Sequence, residues 1–142
     1  MITFLATILF SVFVVLACVH IYWGLGGKWG SVAAIPTTAN NKKLMNPGLA
    51  SCFIVASGLL GFGIFVLIKA DFFLFDLADW LSRYGLWIIS FIFLLRALGD
   101  FKYVGLFKKI KTTLFGRMDT RYFTPLCIVT GLLTIVLQIL TS

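Results

Sequence analysis

Four long uncharged stretches, separated by segments that hold nearly every Lys, Arg and Asp, constrain this chain more than any other feature. Ile2–Gly27, Leu44–Ile68 and Tyr122 to the C-terminus contain no charged residue, and Tyr84–Gly99 contains only Arg96. A helix that crosses the hydrocarbon of a bilayer needs about 20 mostly apolar residues, each rising about 1.5 Å. The pattern predicts spans over 2–24, 47–69, 84–100 and 123–141, the third being the shortest. Charged residues make up 12% of the chain, against about 25% in a soluble domain. With 142 residues and most of them in the bilayer, one domain fills the chain. The expected fold class is all-α: a four-transmembrane-helix bundle with short interfacial amphipathic helices.

The net charge of +7 does not point to nucleic acid, because its placement follows membrane topology. Lys28, Lys42 and Lys43 separate the first two stretches. Lys102, Lys108, Lys109, Lys111, Arg117 and Arg121 separate the last two. The middle segment has only Lys69 and Arg83, with Asp71, Asp76 and Asp79. Cations mark the cytoplasmic side, so loops 25–46 and 101–122 are expected in the cytoplasm and both termini outside. Val15-Leu16-Ala17-Cys18 loosely resembles a lipoprotein cleavage box, but no basic residue precedes Lys28. The first stretch therefore reads as a retained span rather than a signal peptide. Cys18, Cys52 and Cys127 form no CxxC pair and read as small apolar side chains.

Asn46-Pro47 and Thr124-Pro125 each place a capping residue before a proline and read as helix starts. Ser57 and Gly61 have the small-xxx-small spacing that lets helices approach closely in lipid, within one subunit or between copies, so a homo-oligomer stays open. Two connecting segments project as interfacial helices. In 71–83, Phe73, Leu74, Leu77, Trp80 and Leu81 share an arc. In 106–114, Leu106, Phe107, Ile110 and Leu114 oppose Lys108 and Lys109, with Lys111 at the edge. That basic face predicts contact with anionic lipids at Lys108, Lys109 and Lys111.

The residues able to carry chemistry gather on the expected cytoplasmic side. Arg96, Gly99, Asp100 and Tyr103 lie at i, i+3, i+4 and i+7, one face if the helix runs on. Arg96 is then within reach of Asp100, and a charge at that depth needs a partner. Asp119 and Arg121 arrive at the same level, completing a set of structural ion-pair candidates (Arg96, Asp100, Asp119, Arg121). So do His20, Tyr22, Trp23 and Lys28 at the end of the first span. One reading is an ion-pair network that fastens the bundle. The other is a pocket for a lipid-like or small amphipathic ligand, or for a partner helix, contacted by Tyr22, Trp23, Lys28, Arg96 and Tyr103. A rival is a small membrane enzyme using His20 and Asp100 for proton transfer on an isoprenoid or other lipid; a transporter accessory subunit comes third. One histidine and no cysteine pair give no metal site, and no nucleotide or nucleophile motif implies a cofactor.

Several of these segments carry a resemblance. His20-Ile21-Tyr22-Trp23 with Gly26-Gly27-Lys28-Trp29-Gly30, Arg96-Ala97-Leu98-Gly99-Asp100 within Phe93–Tyr103, Asp119-Thr120-Arg121-Tyr122 after Met118, and Pro125-Leu126-Cys127 together resemble a group of small bacterial membrane proteins known as domain of unknown function 3995. The resemblance spans nearly the whole chain. It implies a four-helix protein of the bacterial inner membrane and supplies no activity; its motif residues coincide with the cytoplasmic-side cluster, which favours the functional reading without naming a ligand.

Overall fold

The computed structural model describes residues 1–38, 42–44, 47–73 and 75–142. Asn46 of the first expected cap and Leu74 of the expected outer helix fall outside them. Four helices are long and apolar enough to cross a membrane: α1 (Ile2–Gly24), α3 (Leu49–Lys69), α4 (Asp79–Leu98) and α6 (Thr124–Leu140). Two short helices, α2 (Ser31–Ala34) and α5 (Leu114–Met118), lie between them, and a π-helical turn over Asp119–Phe123 joins α5 to α6. The chain is a multi-pass all-α membrane protein.

Each span buries one narrow stripe. In α1 it is Ala6, Leu9, Phe13 and Ala17; in α3 it is Cys52, Ala56, Leu59, Gly63 and Val66. Steps of three and four are those of helices meeting along a seam. The opposite faces carry exposed Val15, Ile54, Ile64, Phe91 and Ile139. Such a surface would be a liability in water and is an ordinary one against acyl chains.

The helices pack as two antiparallel pairs, α1 with α3 and α4 with α6, and α1 also meets α6. Phe13 joins the pairs: its ring lies 6.1 Å from Phe62 and 5.5 Å from Phe93. Glycines mark the close approaches. Gly63 faces Phe10 and Phe13, Gly85 lies under the Phe65 ring, and Gly131 lies under Leu94. Beside Gly131, the Ser90 hydroxyl donates to its carbonyl at 2.9 Å, a bond that in lipid has no water to compete with. Ser57, Gly58 and Gly61 are instead exposed, with open space beyond the two glycines, so the small-residue pair takes no part in packing within the chain.

The helix ends depart from expectation in three places. α4 begins at Asp79 rather than 84, because Asp79 complements the helix N-terminus and Trp80 and Leu81 add apolar length. The short third stretch thereby becomes a helix of 20 residues, and 75–78 carries no helix. Next, Thr124 is not a cap; it sits in helical conformation inside a rod running Leu114–Leu140. Pro125 would clash with the preceding turn of a regular helix, and the π-helical turn Asp119–Phe123 widens the backbone there. The cap belongs to Thr113, whose hydroxyl accepts from the Gly116 N–H at 3.0 Å. Finally, 106–113 forms no helix but a folded loop, considered next. Short helices do flank the spans, at α2 and α5, and these pack on each other.

Candidate functional site

The site is built on the C-terminus of α4, where four carbonyls lack helical partners. Gly99 turns the chain out of the helix with φ +78°, a conformation open to glycine. Asp100 then follows with Oδ1 accepting three backbone N–H bonds, from Lys102 at 3.0 Å, Tyr103 at 2.7 Å and Val104 at 2.8 Å. The strand of loop so formed doubles back on the helix. Leu106 N–H donates to the Ala97 carbonyl at 2.8 Å, satisfying one of the open groups.

This turn decides the ion pairing. Because α4 stops at Leu98, Arg96 and Asp100 do not share a helical face, and Asp100 is occupied by its own loop. Arg96 pairs instead with Asp119, Nη2 to Oδ1 at 2.9 Å. Asp119 is 0% exposed, and its other oxygen accepts three more bonds. They come from Gly105 N–H at 2.8 Å, Lys108 Nζ at 3.0 Å and Thr124 Oγ1 at 3.1 Å. One carboxylate thus ties α4, the loop and the start of α6 together. Lys108, expected to meet anionic lipid with Lys109 and Lys111, instead turns inward: it is only 2% exposed and also donates to the Gly105 carbonyl at 2.9 Å. Lys109 and Lys111 are exposed. Arg121 does not join the network; its guanidinium lies over the Tyr122 ring, 5.4 Å from the centroid, and Lys102 covers Tyr103 at 5.2 Å.

The candidates on α1 form a separate group. His20 Nδ1 lies 2.7 Å from the Leu16 carbonyl, which can only accept, and the ring stands edge-on to Trp23 at 5.4 Å. Trp23 donates to the Trp29 carbonyl at 2.8 Å, and the Tyr22 ring packs against Gly27. Tyr22 and Trp29 also wall a shallow crevice with Cys18 and Val19. Lys28 is exposed. His20 bonds to Leu16 and Asp100 to its own loop, and no hydrogen bond among the described residues links the two. Cys52 and Cys127 are buried and Cys18 is exposed, all three as free thiols. No group of three or more possible metal ligands occurs among the described residues.

The sequence assigns Asp119 none of its partners Gly105, Lys108 and Thr124: Lys108 reads as a lipid contact and Thr124 as a helix cap. A Lys-Lys doublet does not say which member turns inward, and Thr-Pro reads equally well as a cap.

A family model described as Protein of unknown function (DUF3995) matches residues 13–134. The chain belongs to the DUF3995 family. The matched region takes in all of the Asp119 network and most of each span. No curated protein and no solved structure matches the chain. Membership in DUF3995 therefore brings a name for the chain's kind and no reaction.

Asp100, beyond the end of the span, yields a pH prediction. Burial works to raise its pKa, but the N–H groups of Val104, Tyr103 and Lys102 outweigh it and hold the carboxyl below its ordinary value. The loop stabilisation is then present above the unfolded pKa of about 4 and is lost as pH falls through the lower folded value. Asp100→Ala should accelerate amide exchange at Tyr103 and Val104 at least about tenfold at neutral pH, a bond to a charged acceptor being worth roughly 1.5–3 kcal/mol. Wild-type protein should show the same acceleration only in strong acid. Unchanged exchange in the variant would mean the loop is held elsewhere.

Proposed function

We propose that this protein is a non-enzymatic membrane protein that binds an anionic, lipid-like ligand at its basic end, with Arg96 as the principal contact. The observation that carries this reading is a charge imbalance. Two cations, Arg96 and Lys108, share the single carboxylate of Asp119. Lys108 is enclosed, whereas the Arg96 side chain is 37% exposed; its Nη1 is itself buried and meets no acceptor among the described residues. A guanidinium offers five donors in a fixed fork, and a phosphate or carboxylate oxygen reaching in beside the exposed part of the side chain would satisfy the buried, orphaned one.

The surroundings support the same chemistry. Exposed Lys102, Lys109, Lys111, Arg117 and Arg121 rim this end, each worth about 1 kcal/mol near an anionic surface. By the positive-inside rule this end faces the cytoplasm of a bacterial inner membrane, with both termini on the other side. Tyr103, half-buried beside the loop, would cover the ligand's apolar part.

Arg96→Lys tests the reading, because lysine keeps the charge beside Asp119 and removes the fork. Native mass spectrometry of protein from mixed-lipid nanodiscs should show phosphatidylglycerol retained over phosphatidylcholine by the wild type. The variant should lose that preference about tenfold while unfolding like the wild type. Equal retention of the two lipids by wild-type protein, or an undiminished preference in Arg96→Lys, would overturn the proposal.

A further inference from the structure

The opposite end of the bundle has a second polar site that owes nothing to the Asp119 network. A groove of about 460 Å³ opens between the ends of α1, α3 and α6, the start of α4 and the segment after α3. Its size is that of a small-ligand cleft. Lys69, the last residue of α3, is half-buried in its wall. The ammonium does not fold back onto its own helix but reaches Ser82 Oγ and the Thr141 carbonyl, both at 3.3 Å. Those neutral acceptors leave its charge uncompensated.

Asp71 and Asp76 line the same groove, exposed and free of Lys69. Among the described residues the ion pairs are those made by Asp119, so neither carboxylate lies within pairing distance of the ammonium. Asp71 is held there in the left-handed region, φ +58°, an uncommon conformation for a residue with a side chain. Lys69, Asp71 and Asp76 thus line a shared space without pairing with one another. A simple anion entering it would meet the two carboxylates, and a simple cation would meet Lys69. A short dipolar ion satisfies both, its oxyanion on Lys69 and Ser82 and its ammonium on Asp71 and Asp76.

We propose that this groove binds phosphoethanolamine, a phosphate and a primary ammonium on one short chain. The ammonium must be primary, because acceptor-only carboxylates reward N–H donors that a quaternary amine lacks. The groove lies at the helix ends, the level of lipid headgroups, with Ile2 and Leu140 in its wall, so the group can arrive on a lipid or free in solution.

The probe is an equimolar mixture of phosphatidylethanolamine, phosphatidylcholine and phosphatidylglycerol in nanodiscs, read by native mass spectrometry. The wild type should retain phosphatidylethanolamine over phosphatidylcholine at least fivefold, roughly 1 kcal/mol. Asp71→Asn/Asp76→Asn should abolish that preference and leave phosphatidylglycerol retention unchanged. Asparagine tolerates the left-handed region, so the variant keeps its backbone; Lys69→Met is the independent second variant. A parallel titration with soluble phosphoethanolamine, in discs of phosphatidylcholine alone, identifies the source. Saturable chemical-shift changes near Ser82, lost in Asp71→Asn/Asp76→Asn, would assign the groove to the free compound even if the lipid preference is absent. No preference among the three lipids together with no response to phosphoethanolamine would overturn the proposal, as would a full preference surviving in both variants.

Discussion

Asp119→Asn should destabilise the protein by about 3–5 kcal/mol, the usual cost of removing one partner from a buried ion pair. Asparagine nearly matches the shape and retains one acceptor oxygen, so the loss isolates the charge. What remains is Lys108, 2% exposed, with the Gly105 carbonyl as its other acceptor and no counter-charge. Reversible unfolding in mixed micelles measures the loss. The double variant Asp119→Asn/Lys108→Met should recover much of it, because replacing both members of a buried pair is often close to neutral. A single variant within about 1 kcal/mol of wild type would show that Lys108 finds water or headgroup oxygens that the network does not need. Failure of the double variant to recover would shift the weight to Arg96 and Gly105, whose bonds to Asp119 it also weakens.

The same cluster shows which part of the structure was legible in the sequence. Spans and end-to-end charge asymmetry are local properties, and hydropathy reports them directly. Arg96, Asp100 and Asp119 were likewise recognisable as groups that need partners at the membrane boundary. Their pairing was not, because it depends on where α4 stops. With the helix continued through Asp100, Arg96 meets Asp100 at i+4. With Gly99 at positive φ, Asp100 belongs to the loop and Arg96 reaches across to Asp119. One backbone angle exchanges the partners, and periodicity does not encode it. The inward turn of Lys108 is the same kind of event: its neighbour Lys109 has the same side chain and stays exposed. Thr124 shows the reverse error, a local signal overruled by tertiary structure. Its hydroxyl serves Asp119, while the π-helical turn lets the helix pass through Pro125.

Gly105→Ala should be the second large effect, at roughly 2–5 kcal/mol, and the reason is geometric rather than electrostatic. Gly105 is buried with φ +90°, where an added Cβ costs about 1–2 kcal/mol. That Cβ would also run into the Leu98 carbonyl and the Gly99 nitrogen, and forcing atoms into a packed site costs about 1–3 kcal/mol more. Relief requires the loop to lift off the end of α4. Gly105 supplies an N–H to Asp119 and a carbonyl to Lys108, so lifting it opens the network at two points. Gly26→Ala separates the two contributions. It has a similar φ, +92°, with nothing within 4 Å of the added carbon, and should lose only the conformational part, about 1–2 kcal/mol. Equal losses at the two positions in the same micelle assay would mean that the loop yields freely at Gly105. The folded loop would then be a covering over the Asp119 cluster rather than part of what holds α4 to α6.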